Sequence, residues 1–424
     1  MDPTVIIFIL IYLLTILLAA TKLVPLSVTS LIGALLTAWF GIQYKVFTYD
    51  QATSFVDMKL LVLLIGTMIV VEVTKRGGLF RFGALYAIKI SQGNPAWLFV
   101  AVCISAAAAS LFLGDPTAML LVAAATVTIT KILKYDPIPY FISAAMMVNL
   151  GGTSTLIGSA SNMIIGLQAE LSFTDFITYL ALCEFALWGL TILVLYTIFK
   201  SRLGAKKTIS AFDPWKGVED RSFFFISIFV LGLLMLLFVT VENLGVGPEA
   251  IALGCAIVAL VFSKINPAEI FREVDWETVF FVAGFMFIVK GLEQTGFLSN
   301  LSDQLFQITG GNTRSSTLAT LWISGLSSAI LSNTAIALTF TPIINGLAIV
   351  NSKPLWSALI LGTNLGGATT PLSGSVCILA IGMLKREGIH MKFSQFMRVG
   401  VIISLMQLGF SSLYLVLRFG LLSG

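Results

Sequence analysis

Long apolar blocks alternate with short polar stretches along the whole chain. Clear blocks lie near 4–20, 24–42, 60–74, 138–168, 176–199, 222–240, 249–263, 278–292, 355–384 and 395–417. A transmembrane helix needs about 20 apolar residues, so each block predicts a helix that crosses a membrane. Two further stretches, 97–133 and 316–350, are interrupted midway by polar residues or proline. They are expected to be hairpins that enter and leave on one side, each made of two half-helices. The fold class expected is an all-α polytopic membrane protein with ten crossings and two re-entrant hairpins. The first block follows Met1-Asp2-Pro3-Thr4 without a basic run or a small-residue cleavage site, and reads as a retained helix rather than a signal peptide.

Composition agrees. Of the 424 residues, 57% are hydrophobic and 11% charged, against roughly 45–50% and 25% in soluble domains. Mean hydropathy is +0.98. A net charge of +4 without a long basic run argues against nucleic-acid binding. Cys103, Cys183, Cys255 and Cys377 sit in apolar blocks without CxxC pairing and read as small buried hydrophobes. His390 is the only histidine, in a basic loop, which removes histidine triads and most metal sites. No paired-acid or nucleophile–base arrangement points to an enzyme.

Basic residues orient the chain, because cytoplasmic loops are enriched in Lys and Arg. With the N-terminus outside and the hairpins not crossing, only Lys45, Lys59, Lys290, Arg314, Lys353 and Arg418 of the 25 basic residues lie outside. Both termini are then extracytoplasmic, in a multi-pass protein of the plasma membrane.

The chain also repeats itself. Val56-Asp57 recurs as Val274-Asp275, and at the same spacing Gly66, Met68, Val71 and Gly78 match Gly284, Met286, Val289 and Gly296. Asp115 falls on Asn333, and Asn149-Leu150-Gly151-Gly152 matches Asn364-Leu365-Gly366-Gly367. Residues 1–199 and 222–424 therefore read as two repeats joined by a charged cytoplasmic linker, 200–221. The first holds the hairpin 97–133 and the broken helix 138–168; the second holds the hairpin 316–350 and the broken helix 355–384. Five crossings per half invert the second copy, an arrangement common among secondary transporters that bind their cargo near mid-membrane.

Polar breaks at that depth carry the chemistry, since irregular backbone is tolerated there only when buried in protein or lining a wet cavity. The hairpin tips are Gly114-Asp115-Pro116-Thr117 and Ser332-Asn333-Thr334. The broken helices carry Asn149, Gly151, Thr153, Ser154, Thr155 and Ser159, and Asn364, Gly366, Thr369, Thr370 and Ser373. Unwound backbone offers carbonyls to a cation, and half-helix N-termini offer amides to an anion. Asp115 is the only acid at either tip and the expected coupling residue. A coupling Na⁺ would sit at Asp115, Asn149, Asn333 and Asn364; H⁺ is the other coupling ion weighed, and no further cofactor is expected. Glu72, Glu184, Lys290 and Glu293 lie near span ends and read as structural.

At these four segments the chain resembles the ion transporter superfamily, in particular the branch of arsenite permeases, melanosomal P protein and NhaD-type Na⁺/H⁺ antiporters with its citrate-transporter-like domain. Asn-Leu-Gly-Gly-Thr-Ser-Thr-Leu-Ile-Gly at 149–158 is the most specific part, and Ser332-Asn333-Thr334 is similar to the hairpin signature of Na⁺-coupled dicarboxylate transporters. The resemblance implies a homodimer whose transport domain carries both hairpins and both broken helices in an elevator motion. It also implies a transported ion or oxyanion of the arsenite type, with a Na⁺-coupled carboxylate symporter or a Na⁺/H⁺ antiporter as alternatives. P-type members have Asp-Asn where this chain has Gly114-Asp115, Asp where it has Ser332, and Ile-Gly-Asp-Pro-Pro-Asn where it has Ile157-Gly158-Ser159-Ala160-Ser161-Asn162. Fewer carboxylates favour an anion or neutral oxyacid over a cation as cargo.

Overall fold

The computed structural model describes residues 2–21, 23–207, 213–349, 351–370 and 375–421, and every regular element among them is helical. The first half runs α1 (Pro3–Thr21), α2 (Leu26–Gln43), the short α3 (Tyr49–Thr53), α4 (Met58–Arg76), α5 (Leu79–Ser91), α6 (Pro95–Leu113), α7 (Asp115–Leu133), α8 (Pro137–Gly151) and α9 (Ala160–Gln168). α10 (Phe173–Phe176) continues through a π-helical turn, Ile177–Ala181, into α11 (Leu182–Phe199). The second half runs α12 (Arg221–Thr240), α13 (Pro248–Ser263), α14 (Pro267–Glu273), α15 (Trp276–Gln294), α16 (Phe297–Ile308), α17 (Thr313–Ser328), α18 (Asn333–Asn345), α19 (Lys353–Gly366), α20 (Ser375–Arg386) and α21 (Phe393–Arg418).

Local chemistry explains why the two halves share sequence. Asp57 and Asp275 are the N-caps of α4 and α15, accepting from the backbone N–H of Lys59 and of Thr278. Gly78 and Gly296 both turn the chain with positive φ, +80° and +78°. Asn94 and Asn312 cap α6 and α17. Gly66 and Gly284 mark close helix crossings: a Cβ on Gly66 would lie 2.8 Å from the Ala252 backbone of α13, and one on Gly284 2.8 Å from Ser30 of α2. The pairs α4 with α13 and α2 with α15 accordingly pack tightly, as small residues permit in membrane helix bundles.

The remaining helices gather around the breaks, with α6 packed on α8 and α17 on α19. Tyr135, just after α7, donates its hydroxyl to the Gly93 carbonyl, just before α6, over 2.9 Å. The feet of these two helices therefore meet, and the helices run antiparallel from a tip at Gly114 (φ +68°). In the second unit α16 touches both feet. Ser302 donates to the Ile343 carbonyl near the end of α18 (2.7 Å), and Ser316 in α17 donates to Thr309 (2.8 Å).

One expectation changes, the number of crossings. α6 and α7 have 19 residues each, about 28 Å at 1.5 Å per residue, so each arm of the first hairpin has the length of a crossing helix. Eight helices among the described residues are long and apolar enough to cross a membrane, or nine if α15 and α16, bent by 74°, count together. The expected ten differ because α13 and the pieces of the broken spans are short, whereas both arms of the first hairpin are long. The breaks themselves fall at 152–159 and after Gly366.

Candidate functional site

The two tips are built alike. Ser110, near the end of α6, donates its hydroxyl to Asp115 Oδ1 (2.9 Å), and Ser328, at the end of α17, donates to Asn333 Oδ1 (2.7 Å). Each break is then tied to its hairpin by a threonine: Thr155 donates to the Leu111 carbonyl (2.7 Å) and Thr370 to the Ala329 carbonyl (2.6 Å). Gly151 and Gly366 allow the contact, since a Cβ at either would collide with the backbone carbonyl of Ala107 or Gly325.

Both tips and the first break share one cavity of about 330 Å³. Of the residues expected to bind cargo or ion, Asp115, Thr117, Asn149, Ser159, Ser332, Asn333 and Thr334 line it. Gly151, Thr153, Ser154, Thr155, Asn364, Gly366, Thr369 and Thr370 are not among its lining residues. Ser373 lies outside the described residues. The N-termini of α7, α9 and α18 reach the cavity through Asp115, Ala160 and Asn333. They bring the positive ends of three helix dipoles together.

The lining is acidic. Asp115, Glu72, Glu273 and Asp275 contribute carboxylates, and no Lys, Arg or His is among the described lining residues. Glu72 is engaged by Lys75 and by Arg76 (3.0 Å), and Arg76 bridges on to Glu269 (3.1 Å). Asp275 accepts from the Thr278 hydroxyl at 2.6 Å. Glu72 near the end of α4, Glu273 at the end of α14 and Asp275 at the start of α15 stand beside the basic residues Lys75, Arg76 and Arg272.

Four residues outside the expected site organise the region. Ser110 and Ser328 hold the tip residues, and their recurrence at the spacing of the repeat is a signal that would have found them. Asn162, fully buried, donates to the carbonyls of Gly152 (2.8 Å), Thr153 (3.3 Å) and Thr155 (2.7 Å). Three carbonyls expected to be free for a cation are thus occupied by a side-chain amide. Asn162 also accepts from Asn364 Nδ2 at 2.8 Å. Glu184 is not near the end of its helix: it is fully buried, eleven residues into the continuous stretch Phe173–Arg202, and accepts from the backbone N–H of Ser154 at 2.5 Å. Lys290 pairs with Glu293 at 2.8 Å, away from the cavity.

With this geometry in place, comparison with known sequences is decisive. The sequence profile of the citrate transporter family (CitMHS) matches residues 12–362 and 286–423. The chain belongs to the citrate transporter family. Relatives of this citrate transporter family member include an uncharacterized transporter of Mycobacterium tuberculosis, 29% identical over 372 residues that cover 86% of this chain and 87% of the relative. The P protein of Mus musculus is 25% identical over 453 residues, 87% of this chain and 54% of that protein. In fold, the chain is similar to the solved YdaH transporter of Alcanivorax borkumensis, with a TM-score of 0.63 over 98% of both chains at 17% identity. The chain is a membrane transporter.

Proposed function

We propose that the chain is a cation-coupled secondary transporter that carries a small oxygen-rich anion, a carboxylate such as citrate or an oxyanion of the arsenite class, by alternating access. The observation that carries the reading is the cavity's lining: three helix N-termini and the amides and hydroxyls of Asn149, Ser159, Asn333 and Thr334, with carboxylates and no basic side chain among the described residues. An anion is held well at helix N-termini. It is tolerated beside Asp115 only when a cation, Na⁺ or H⁺, offsets that charge. Coupling then follows from electrostatics, since neither charge is stable in the cavity without the other.

The two halves, 1–199 and 222–424, act as inverted repeats about the linker 200–221. The hairpins and broken helices form the moving body, and α2, α4, α13 and α15 belong to a scaffold against which it slides in a homodimer. The chain sits in the plasma membrane with both termini outside. A Na⁺/H⁺ antiporter is the second reading, favoured by the acidic lining. Purified protein in liposomes under an imposed H⁺ or Na⁺ gradient tests both. Gradient-driven accumulation of citrate or arsenite supports the first, cation exchange without cargo the second, and no flux of any of them ends both.

A further inference from the structure

Glu184 has an environment that structural packing alone does not account for. Its side chain is fully buried, and no Lys, Arg or His forms an ion pair with it among the described residues. Its carboxylate is instead held by Ser154, through its backbone N–H at Oε2 (2.5 Å) and its hydroxyl, and by Trp188 Nε1 at Oε1 (3.0 Å). Ser154 belongs to the unwound segment between α8 and α9. Glu184 itself stands just beyond the π-helical turn Ile177–Ala181, a rare geometry concentrated at functional positions. The second half lacks the acid. There Gly400 of α21 lies against the backbone carbonyls of Ala368 and Thr369, in the equivalent break.

We infer that Glu184 is a proton-binding site whose charge state fixes or releases the unwound segment beside the cavity. The inference rests on the transport reading and adds a second titrating position outside the cargo's reach, because Glu184 does not line the cavity. Ionised, the carboxylate accepts from both residues and pins Ser154. When a proton from water binds Oε2, that oxygen becomes a donor, and the Ser154 N–H loses its acceptor. The segment 152–159 then loses its anchor at Ser154 and keeps those at Asn162 and Leu111, which loosens the wall carrying Asn149 and Ser159.

The elements packed on α11 are α6, α8, α21, the π-turn and the single turn Lys200–Arg202 at its far end, where Lys200 is exposed. Their titratable groups are Cys103, Tyr140, Tyr179 and Tyr414, with Cys183 beside Glu184 on its own helix. The cations on these elements stay apart: Arg398 is exposed at the start of α21, Arg418 bonds the Thr178 carbonyl, and Arg202 pairs with Asp136. Glu184 is thus a positioning residue that acts through the backbone.

Infrared spectroscopy of the full chain in lipid, titrated without any cargo, provides the test. The expected result is a protonated-carboxyl band that rises as pH falls and is missing from E184Q. In W188F, which keeps the acid but loses one donor to its ionised form, the midpoint of that band moves up by about one pH unit. Cargo exchange by E184Q loses the component of its pH profile that shares the band's midpoint, while E184D keeps that component with a displaced midpoint. Identical carboxyl spectra in the wild type and E184Q overturn the inference, as does a W188F midpoint that does not move. A titrating band in a protein that moves no cargo ends the transport reading alone.

Discussion

The side-chain amide of Asn364 donates to Asn162 Oδ1 across 2.8 Å in a fully buried position. The bond joins α19, which precedes one break, to α9, which follows the other. Because Asn162 also caps three backbone carbonyls of its own break, the two interrupted helices are held by a single side chain.

Replacing Asn162 with Ala takes the side-chain donor from the Gly152 and Thr153 carbonyls in a buried interior, and leaves the Asn364 amide with the Ile360 carbonyl (2.8 Å) as its remaining acceptor. Each unsatisfied group costs about 1–3 kcal/mol, so the expected loss is on the order of 3 kcal/mol or more. Thermal unfolding of N162A in detergent should show a clear drop in Tm, larger than that of S161A, whose hydroxyl bonds only to Ser159.

The glycines at the helix contacts are steric requirements. Gly366→Val places branched carbons against the Gly325 carbonyl of α17, and overpacking of that kind costs about 1–3 kcal/mol. Size-exclusion after a heating series should show earlier aggregation for G366V, whereas a Val at Gly382, with nothing within 4 Å of its Cβ position, should leave the melting point near wild type.

Much of this arrangement was legible in the sequence, and the reason is local chemistry. Caps such as Asp57 and Asp275, and turns such as Gly78 and Gly296, recur because each half needs the same helix ends. The breaks announce themselves as polar residues within apolar runs. What the sequence hid acts across distance. Nothing near Asn162 shows that it folds back on residues 152–155, and Glu184 looks peripheral until the π-turn and Trp188 are seen around it.

Asp115 is the one acid at a tip, held by Ser110. Asp115→Asn should abolish dependence on the driving cation while leaving cargo binding measurable by isothermal titration at high cargo concentration. Ser110→Ala removes one hydrogen bond that stabilises the uncompensated carboxylate, about 1.5 kcal/mol, and should shift cation activation to about tenfold lower concentration. Cation activation of D115N matching the wild type would place coupling elsewhere.

Glu72, Glu273, Asp275 and Thr278 line the cavity at helix ends next to the basic residues Lys75, Arg76 and Arg272. In protein with its buried native cysteines, Cys103, Cys183, Cys255 and Cys377, left in place, a cysteine at Thr278 should react with a membrane-impermeant maleimide in inside-out vesicles. One at Gln168, on the opposite side near Asp57 (3.5 Å), should react only in right-side-out cells. The reverse pattern would invert the orientation read from the positive charges.

The Tyr135 hydroxyl that closes the foot of the first hairpin reaches not only Gly93 but also the Ala205 carbonyl, 2.9 Å away, and Lys207 Nζ bonds the Leu133 carbonyl at 2.5 Å. The strand of chain leaving α11 is therefore stapled to the hairpin's base. A rigid shift of that hairpin would carry residues 205–207 with it.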